Sequence, residues 1–360
     1  MRQMLSLTST FEPVVFPDHS GMPSDTPSKA HTLHDVARLA GVSFMTVSRA
    51  LNTPERVSPA TLEKVRQAVA ASGYIPNALA GGLKSKRSMT VVGLVPIISV
   101  PQFLPTIRAL TDVLDAQGYQ LILGQTGYDH AREEKLIATM MARRPDGFVV
   151  IGRLVSEAAR KQLRRVGVPV VETWDLPSDP VDMAVGFSQA EVGKAVAEHV
   201  LTRGYTRLAV ATGDDARAQA RLSGFLERVG HPVPTVANPA PSQLAHGRAA
   251  LAALLNQDPA IQVVCCSADA LAQGVMVEAA ARGLRVPQDL AVCGFGDADF
   301  AAHLHPTLTT VRVDGPLMGR LAAQLVLDRC SGKPIANKVV DVGFEVVARQ
   351  STHILHNGEG

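Results

Sequence analysis

The hydrophobic positions of residues 32–72 recur at helical spacing and predict three short helices. The first begins at a capping-box pattern, Thr32 to Asp35, and Gly41 ends it. The second runs from Phe44 to Asn52 behind a serine cap, and the third begins at a Ser-Pro pair. A helix, a tight glycine turn, a short helix and a supporting helix form the layout of a helix-turn-helix unit.

The second of these helices has an unusual polar face in the stretch "VSFMTVSRALN", residues 42–52. Val47, Ala50 and Leu51 supply its inward positions, and short polar side chains and one arginine supply most of the others. Such side chains suit a helix that lies in the major groove, where they reach base edges and phosphates. The pattern therefore favours DNA binding over the alternative, a small three-helix core without a ligand.

From Thr90 onward, short continuous apolar runs alternate with amphipathic patterns, which predicts buried parallel strands separated by helices. A βαβ series of this length is enough for two doubly wound lobes, whose ligands bind at the carboxyl ends of the strands. The strands are expected at "TVVGLVP", "YQLILG", "GFVVIG", "VPVVE", "RLAVATG", "IQVVCCS" and "LAVCGFG". The helices are expected near 103–117, 131–143, 156–166, 189–203, 216–229, 243–255, 270–282 and 315–330.

Charge and composition change this picture in two ways. The net charge of the 360 residues is only +2, but residues 31–90 hold eight Lys or Arg against three Asp or Glu. This bias indicates a polyanion-binding head on a nearly neutral body. The four cysteines show no metal-ligand spacing, and neither a membrane-length apolar run nor a secretory signal is found, so we expect reduced thiols and a cytoplasmic protein.

Two segments do not fit either pattern. Residues 1–30 are rich in Pro, Ser and Thr and are expected to be a disordered extension, or an over-extended start upstream of Met22. The segment "YIPNALAGGLKSKRS" contains a short stretch, Ala78 to Leu83, that is too glycine-rich to be a stable helix alone. We expect it to fold only against a partner, and its lysines and arginine make it a basic linker.

Enzyme signatures are weak in this sequence. It has no phosphate-binding P-loop, no G-x-S-x-G elbow and no H-E-x-x-H, and Gly294-x-Gly296 lacks the third glycine of a dinucleotide site. His303-x-His305 is at most half of a metal site. We therefore expect no enzyme, no cofactor and no metal. A sugar-phosphate enzyme or kinase would need a phosphate-cradling loop or a catalytic base, and an exported sugar-binding protein would need a signal and no basic head.

The strand ends carry scattered carboxylates that suit polyol recognition, because carboxylates accept hydrogen bonds from hydroxyls and an arginine can bind an acid at two points. Arg221 follows one of these strands. The carboxylates are Glu172, Asp175, Asp214, Asp269 and Asp297.

These features together resemble the lactose-repressor family of bacterial transcription regulators over nearly all of residues 31–352. The motifs that carry the resemblance are "TLHDVARLAGVSFMTVSRALN", "GYIPNALAGGL", "DGFVVIG", "GFGD", "PTLTTVRVDG" and "VGFEVVARQST". Within the family, "GYQLILGQTGYDHAREEKLIATMMARRPDGFVVIG" and "VPVVETWDLPSDPVDMAVGF" resemble the gluconate-utilisation repressors.

The resemblance implies a domain organisation. Residues 31–76 would form the helix-turn-helix domain, residues 77–89 a hinge helix and linker, and residues 90–352 an effector-binding and dimerisation body, followed by a tail, 353–360. The body would resemble periplasmic binding proteins, with an N-lobe at about 90–187 and 315–338 and a C-lobe at about 188–312 and 339–352. The tail has no heptads, which favours a dimer over a tetramer.

The resemblance also implies how DNA is bound. Two protomers would read a near-palindromic operator, the hinge helix would order on DNA, and its apolar wedge would enter the minor groove. Base-facing positions correspond to Phe44, Met45 and Arg49. The remaining DNA-binding candidates are Thr32, Ser43, Thr46, Ser48, Asn52, Asn77, Ala80 and Leu83.

Finally, the resemblance implies an effector that binds between the lobes and releases the DNA, a coupling that must be reciprocal. Candidate effector-binding residues are Ser99, Phe103, Glu172, Asp175, Arg221, Asp269, Asp297 and Arg312. This chain departs from the family pattern at Gly296, Ala268 and Gly315, which removes an anion and a stacking ring and favours an acidic, open-chain sugar whose carboxylate faces Arg221 and Arg312. A neutral or phosphorylated sugar and a co-repressor mode are the alternatives.

Overall fold

The computed structural model describes residues 32–74 and 87–353, with Asn52 described in its backbone alone. The chain divides into two compact units, residues 1–85 and 86–360. The predicted hinge residues Asn77, Ala80 and Leu83, the extension and the tail beyond residue 353 lie outside the described residues.

The first unit contains the three predicted helices, α1 (Leu33–Ala40), α2 (Phe44–Asn52) and α3 (Pro59–Ser72). The cap of α1 is closed by Asp35, whose Oδ2 accepts from the Thr32 amide at 2.9 Å and from its hydroxyl at 2.8 Å. Gly41 ends α1 in the left-handed conformation at a φ of 63°. One fully buried valine from each helix, Val36, Val47 and Val65, forms the centre of the core, and this confirms the predicted inward face of α2.

The second unit alternates strands and helices along its whole length. Its strands are β1 (Thr90–Val95), β2 (Gln120–Gln125), β3 (Gly147–Ile151), β4 (Val170–Thr173), β5 (Met183–Gly186), β6 (Leu208–Gly213), β7 (Thr235–Asn238), β8 (Val263–Cys266), β9 (Ala291–Cys293), β10 (Thr310–Arg312), β11 (Val339–Asp341) and β12 (Glu345–Val347). Its helices are α4 (Leu104–Ala116), α5 (His130–Met141), α6 (Glu157–Val166), α7 (Gln189–Leu201), α8 (Ala216–Val229), α9 (Leu244–Gln257), α10 (Asp269–Ala281) and α11 (Gly315–Cys330). All eight predicted helices of this unit are confirmed.

The strands form two parallel sheets and one short antiparallel pair. The first lobe contains a six-stranded sheet in the order β11-β5-β4-β3-β1-β2, and the second contains a four-stranded sheet in the order β7-β6-β8-β9. Strands β10 and β12 pair antiparallel. A single hydrophobic cluster passes through both lobes, from Val91 and Val149 in the first sheet to Val263 and Cys293 in the second. The predicted doubly wound, two-lobe body is confirmed.

One boundary between the lobes differs from the prediction. The predicted C-lobe includes residues 339–341, but Val339 and Val340 pair with Ala184 and Val185 of β5 in the first sheet. The chain joins the second lobe later, where Ser351 Oγ donates to the Val292 carbonyl at 2.6 Å. This strand was missed because it is three residues long and mostly exposed, so its sequence lacks the apolar run of a buried strand.

Candidate DNA-binding and effector sites

The outward face of α2 combines two apolar side chains with one cation. Phe44 is 41% exposed and Met45 is 58% exposed, and Arg49 is also exposed. At 100° per residue these three positions lie within one 140° arc, opposite the buried Val47 and Ala50. An exposed stripe of this kind on the second helix of a helix-turn-helix unit has the shape and chemistry to enter a major groove.

Several of the predicted phosphate-contacting residues lie at the helix starts. Ser43 Oγ accepts from the Thr46 amide at 3.1 Å and lies 2.9 Å from the Thr46 hydroxyl. Thr32 occupies the corresponding place at α1. Helix N-termini present free amides to anions, so a phosphate is a suitable neighbour for these caps. The side chain of Asn52 lies outside the described part of the chain.

A cavity of about 240 Å³ lies between the two lobes of the second unit, at the carboxyl ends of the strands. The aromatic rings of Phe103, Trp174 and Phe295 line it, and Phe187 packs against Trp174 outside the lining. Trp174 contacts Phe103 edge-on at 5.1 Å between ring centroids and Phe187 at 6.0 Å, and Phe187 lies 6.2 Å from Phe295. The polar lining comes from Ser99, Gln102, Tyr128, Gln189, Asp215, Arg217, Arg221, Ser242, Gln243, Ser267 and Asp269.

Arg221 is a partly buried cation of this cavity, and its Nε atom is fully buried. Its Nη2 donates to the Ser267 carbonyl at 3.0 Å, its Nη1 donates to Gln189 Oε1, and its guanidinium lies 4.0 Å from the centroid of the Phe295 ring. Burial lowers its pKa to about 10, so the group is still charged at neutral pH. Its buried Nε–H has no hydrogen-bond partner among the described residues. Such an orphaned donor is costly, which suits a site that an acceptor on a ligand completes.

Gln189 connects Arg221 to the tryptophan. Its Nε2 donates to the Trp174 carbonyl at 2.7 Å, while its Oε1 accepts from Arg221. Trp174 has a φ of 61°, a left-handed conformation that is strained for a bulky residue and persists where the surroundings impose it. Helix α7 brings Gln189 into place because Gly193, without a side chain, lets α7 pack directly on the Arg221 backbone.

Arg217 places a second guanidinium in the same cavity. It lies one helical turn before Arg221 on α8, so the two side chains share a face. Its guanidinium lies 5.1 Å from the Phe103 ring centroid, and its Nε lies 3.8 Å from Asp215 Oδ1. That carboxylate oxygen already accepts from the amides of Arg217 and Ala218 as the cap of α8, so it neutralises the guanidinium incompletely.

Asp269 also lines the cavity, but both of its oxygens are engaged by the protein. Oδ1 accepts from the Thr310 hydroxyl at 2.6 Å, and Oδ2 accepts from the Ala298 amide at 2.7 Å. Burial raises the pKa of Asp269 to about 6, against the lowering effect of these two hydrogen bonds. The carboxylate therefore fixes the loop after β9 and the start of β10, at the edge of the cavity.

Comparison with known proteins agrees with both sites. Residues 32–77 match the family description "Bacterial regulatory proteins, lacI family", and residues 197–352 match "Periplasmic binding protein-like domain". The chain is 38% identical over 327 residues to the HTH-type transcriptional regulator GntR of Pseudomonas aeruginosa, covering 89% of this chain and 95% of that protein. The chain belongs to the LacI family.

Solved structures of LacI-family regulators have the same fold. A LacI-family regulator from Silicibacter pomeroyi aligns with a TM-score of 0.84 at 31% identity, covering 89% of this chain and 99% of that one. The regulator GntR from Chromobacterium violaceum aligns with a TM-score of 0.70 at 32% identity, covering 73% and 99%. This LacI-family protein is thus a helix-turn-helix transcription regulator with an effector-binding body, and its relatives are transcription regulators.

The cavity brings together four of the eight effector candidates of this LacI-family chain: Ser99, Phe103, Arg221 and Asp269. Asp175 lies close behind them. Burial raises its pKa, and the charges of Arg217 and Arg221 lower it, but its Oδ1 accepts from the Leu176 amide at 2.9 Å and the side chain does not line the cavity.

The prediction is corrected for Glu172, which is fully buried within the first lobe. Its Oε1 accepts from the Leu154 amide at 2.9 Å, and its Oε2 accepts from the Val181 amide at 2.8 Å. Arg160 Nη1 lies 3.3 Å from Oε1. The side chain therefore joins α6 and the loop before β5 to β4, and it has no access to the cavity.

The prediction is also corrected for Asp297 and Arg312, which bind each other. Arg312 Nε donates to Asp297 Oδ2 at 2.6 Å, and Arg349 Nη2 donates to Asp297 Oδ1 at 2.6 Å. Both residues line a different and wider groove of about 1000 Å³. Arg312 is thus engaged in ion pairs away from the effector cavity, and the second arginine that lines this cavity with Arg221 is Arg217.

Sequence reasoning missed several residues that line the cavity, among them Gln189, Trp174, Tyr128 and Arg217. A signal for Arg217 was available in "GDDARAQARL", where a strand end is followed by a helix with arginines four residues apart.

Among residues 32–74 and 87–353 no helix is long and apolar enough to cross a membrane, and no cluster of three metal-ligating side chains occurs.

The raised pKa of Asp269 predicts a pH-dependent stability. A carboxyl whose pKa rises from 3.8 to about 6 on folding stabilises the fold fully below about pH 3.8. This contribution is lost as the pH rises through about 6. Relative to Asp269→Asn, the wild type should lose about 3 kcal/mol of unfolding free energy across that window. Urea unfolding at pH 4 to 7, followed by the fluorescence of Trp174, measures the free energy of unfolding of both proteins. If the two free energies change in parallel with pH, the prediction is refuted.

Proposed function

We propose that this protein represses genes of sugar-acid catabolism and that its effector is an open-chain sugar acid of the gluconate class. The observation that carries the proposal is the pair of guanidinium groups, Arg217 and Arg221, on one face of α8 in a cavity with aromatic walls. An arginine binds a carboxylate through two parallel hydrogen bonds, and the low dielectric of a buried site strengthens such pairs. The narrower likeness to regulators named GntR supports the same class of ligand.

The rest of the cavity suits the polyol chain of such an acid. Ser99, Gln102 and Gln243 offer hydroxyl and amide groups, and the rings of Phe103 and Phe295 offer apolar surface to the carbon backbone. The Arg221 Nε–H, which has no partner among the described residues, gains an acceptor when a carboxylate or hydroxyl binds.

An effector bound between the lobes would favour one orientation of the lobes. The orientation that binds the operator would become less populated, so the operator would be released. We propose that two copies of the chain bind a palindromic operator in the cytoplasm through Phe44, Met45 and Arg49. The protein would act by binding alone, without catalysis. In the alternative co-repressor mode, a ligand in the same cavity would strengthen operator binding. The operator titration described below distinguishes the two modes.

Calorimetric titration with gluconate and glucose tests the ligand class. We expect gluconate to bind at least about tenfold more tightly than glucose, because glucose lacks the charge that the arginine pair recognises. Arg217→Gln should weaken gluconate binding by about tenfold or more and leave glucose binding unchanged.

The matched control for this titration is Arg228→Gln on the same helix. Arg228 is half exposed and pairs with Glu198 at the surface, so its loss should change neither affinity. Tight binding of glucose without binding of gluconate would refute the sugar-acid proposal. Binding of a phosphorylated sugar alone would replace it with a sugar-phosphate effector.

A further inference from the structure

The chain enters the second unit through a set of contacts that the effector cavity does not use. Ser88 donates to Asp146 Oδ1 through its amide at 2.9 Å and its hydroxyl at 3.2 Å, and the Met89 amide donates to Oδ2 at 3.0 Å. Arg87 Nη2 donates to the Cys330 carbonyl at 2.7 Å. We call these five residues, Arg87, Ser88, Met89, Asp146 and Cys330, the entry clamp.

The conformation of the entry clamp is specific. Met89 has a φ of 52°, a left-handed backbone that a non-glycine residue keeps where its neighbours impose it. The Met89 carbonyl accepts from the Gln120 amide at 2.8 Å, and the Asp146 amide donates to the Thr90 carbonyl at 2.8 Å. One carboxylate thus fixes two consecutive amides and a hydroxyl just before β1 begins.

Folding of the sheet does not by itself require this carboxylate. Strand β1 pairs with β2 from Thr90 and with β3 from Val91. The bond from the Gln120 amide to the Met89 carbonyl extends this ladder without using the Asp146 carboxylate. Asp146 instead holds the residues that precede the strand. These residues follow directly on the segment that links the body to the DNA-binding unit.

The entry clamp and the effector cavity lie at opposite ends of one strand. Asp146 directly precedes β3, and Gly152 directly follows it. A Cβ added at Gly152 would lie 3.3 Å from Arg217 Nη1, so the end of β3 contacts the cavity. The clamp therefore lies at one end of a strand whose other end approaches Arg217, a residue that lines the cavity.

We propose that Asp146 is a positioning residue for operator binding, because it fixes the point and direction at which the connecting segment leaves the body. Without the carboxylate, the Ser88 and Met89 amides lose their anchor. The direction in which the connecting segment leaves the body is then no longer fixed, although Arg87 still donates to the Cys330 carbonyl. A segment whose exit direction is fixed in advance brings the second DNA-binding unit of a dimer to its half-site at a higher effective concentration, and this advantage is lost with the anchor. The proposal rests on operator binding by the family and is independent of which effector fills the cavity.

Operator titration at fixed salt and without effector tests this role. The probe is a duplex that the wild-type protein selects from a random DNA pool. Asp146→Ala should weaken binding by about tenfold, Asp146→Asn by less, and Ser88→Ala by about twofold, in the order of the contacts removed. The slope of log affinity against log salt should stay at the wild-type value, because no phosphate contact is lost.

Asp182→Asn is the matched control, since Asp182 is a carboxylate of the same lobe that binds Arg329 and Lys338 outside the entry clamp. It should leave operator affinity unchanged, and all variants should keep the wild-type gluconate affinity. Operator affinity of Asp146→Ala within about twofold of wild type would overturn the proposal. A parallel loss of ligand affinity would also overturn it, because it would show general damage to the lobe. If Asp146→Ala does not fold, Asp146→Asn and Ser88→Ala decide the same question.

Discussion

Replacing Arg221 with alanine is expected to abolish the effector response while operator binding persists. The substitution removes the hydrogen bonds to Gln189 and Ser267 and the contact with the Phe295 ring. It also removes the unpartnered Nε–H that a ligand acceptor would satisfy. Charge-assisted pairs in a buried site are strong, so we expect gluconate affinity to fall by at least about a hundredfold.

The measurement for Arg221→Ala is a pair of titrations, gluconate by calorimetry and operator DNA by anisotropy. Arg221→Lys should behave almost like alanine, because a lysine keeps the charge but cannot reproduce the planar fork of hydrogen bonds. Arg228→Gln again serves as the control from the same helix. Gluconate binding at wild-type strength by Arg221→Ala would show that the acid is recognised elsewhere.

The second large effect is expected at Arg49 of the recognition helix α2. Arg49 is exposed and outside the core formed by Val36, Val47 and Val65, so Arg49→Ala should fold normally. An arginine that reaches a guanine edge contributes about 1–3 kcal/mol of discrimination, so affinity for the selected operator should fall by about 10- to 100-fold. Affinity for a scrambled duplex of equal length should change far less.

Arg66→Ala provides the comparison for Arg49, because Arg66 carries the same charge at an exposed position of the supporting helix α3. If Arg66 meets a phosphate, its loss weakens selected and scrambled duplexes equally and reduces the salt slope by about one. Equal weakening of both duplexes by Arg49→Ala would assign Arg49 to the phosphate backbone instead of the bases.

The helices of this protein were predictable from the sequence because their signals are local. Caps such as Ser43, stops such as Gly41 and apolar stripes at helical spacing depend on residues a few positions apart. Five short strands were not predicted. Strands β10, β11 and β12 are three residues long, β5 and β7 are four residues long, and each gains its hydrogen bonds from distant parts of the chain.

The effector cavity was predictable only in part, for the same physical reason. Arg221 was predicted because it follows a predicted strand and because the family resemblance implies an effector-binding arginine at this position. Asp297 and Glu172 were misassigned because their partners, Arg349 and Arg160, come from elements that no local pattern connects with them. A charge at the end of a strand has several neighbours in three dimensions, and its neighbours decide whether it faces a ligand or a structural ion pair.

The most direct test of the whole account is a titration of the wild-type protein onto its selected operator, at fixed salt, with and without gluconate. Salt is held constant because phosphate contacts make the affinity strongly salt-dependent. The account predicts tight, sequence-specific binding that gluconate weakens by at least about tenfold, and that glucose leaves unchanged. Specific binding that no sugar acid alters would contradict the link between the arginine pair and the operator.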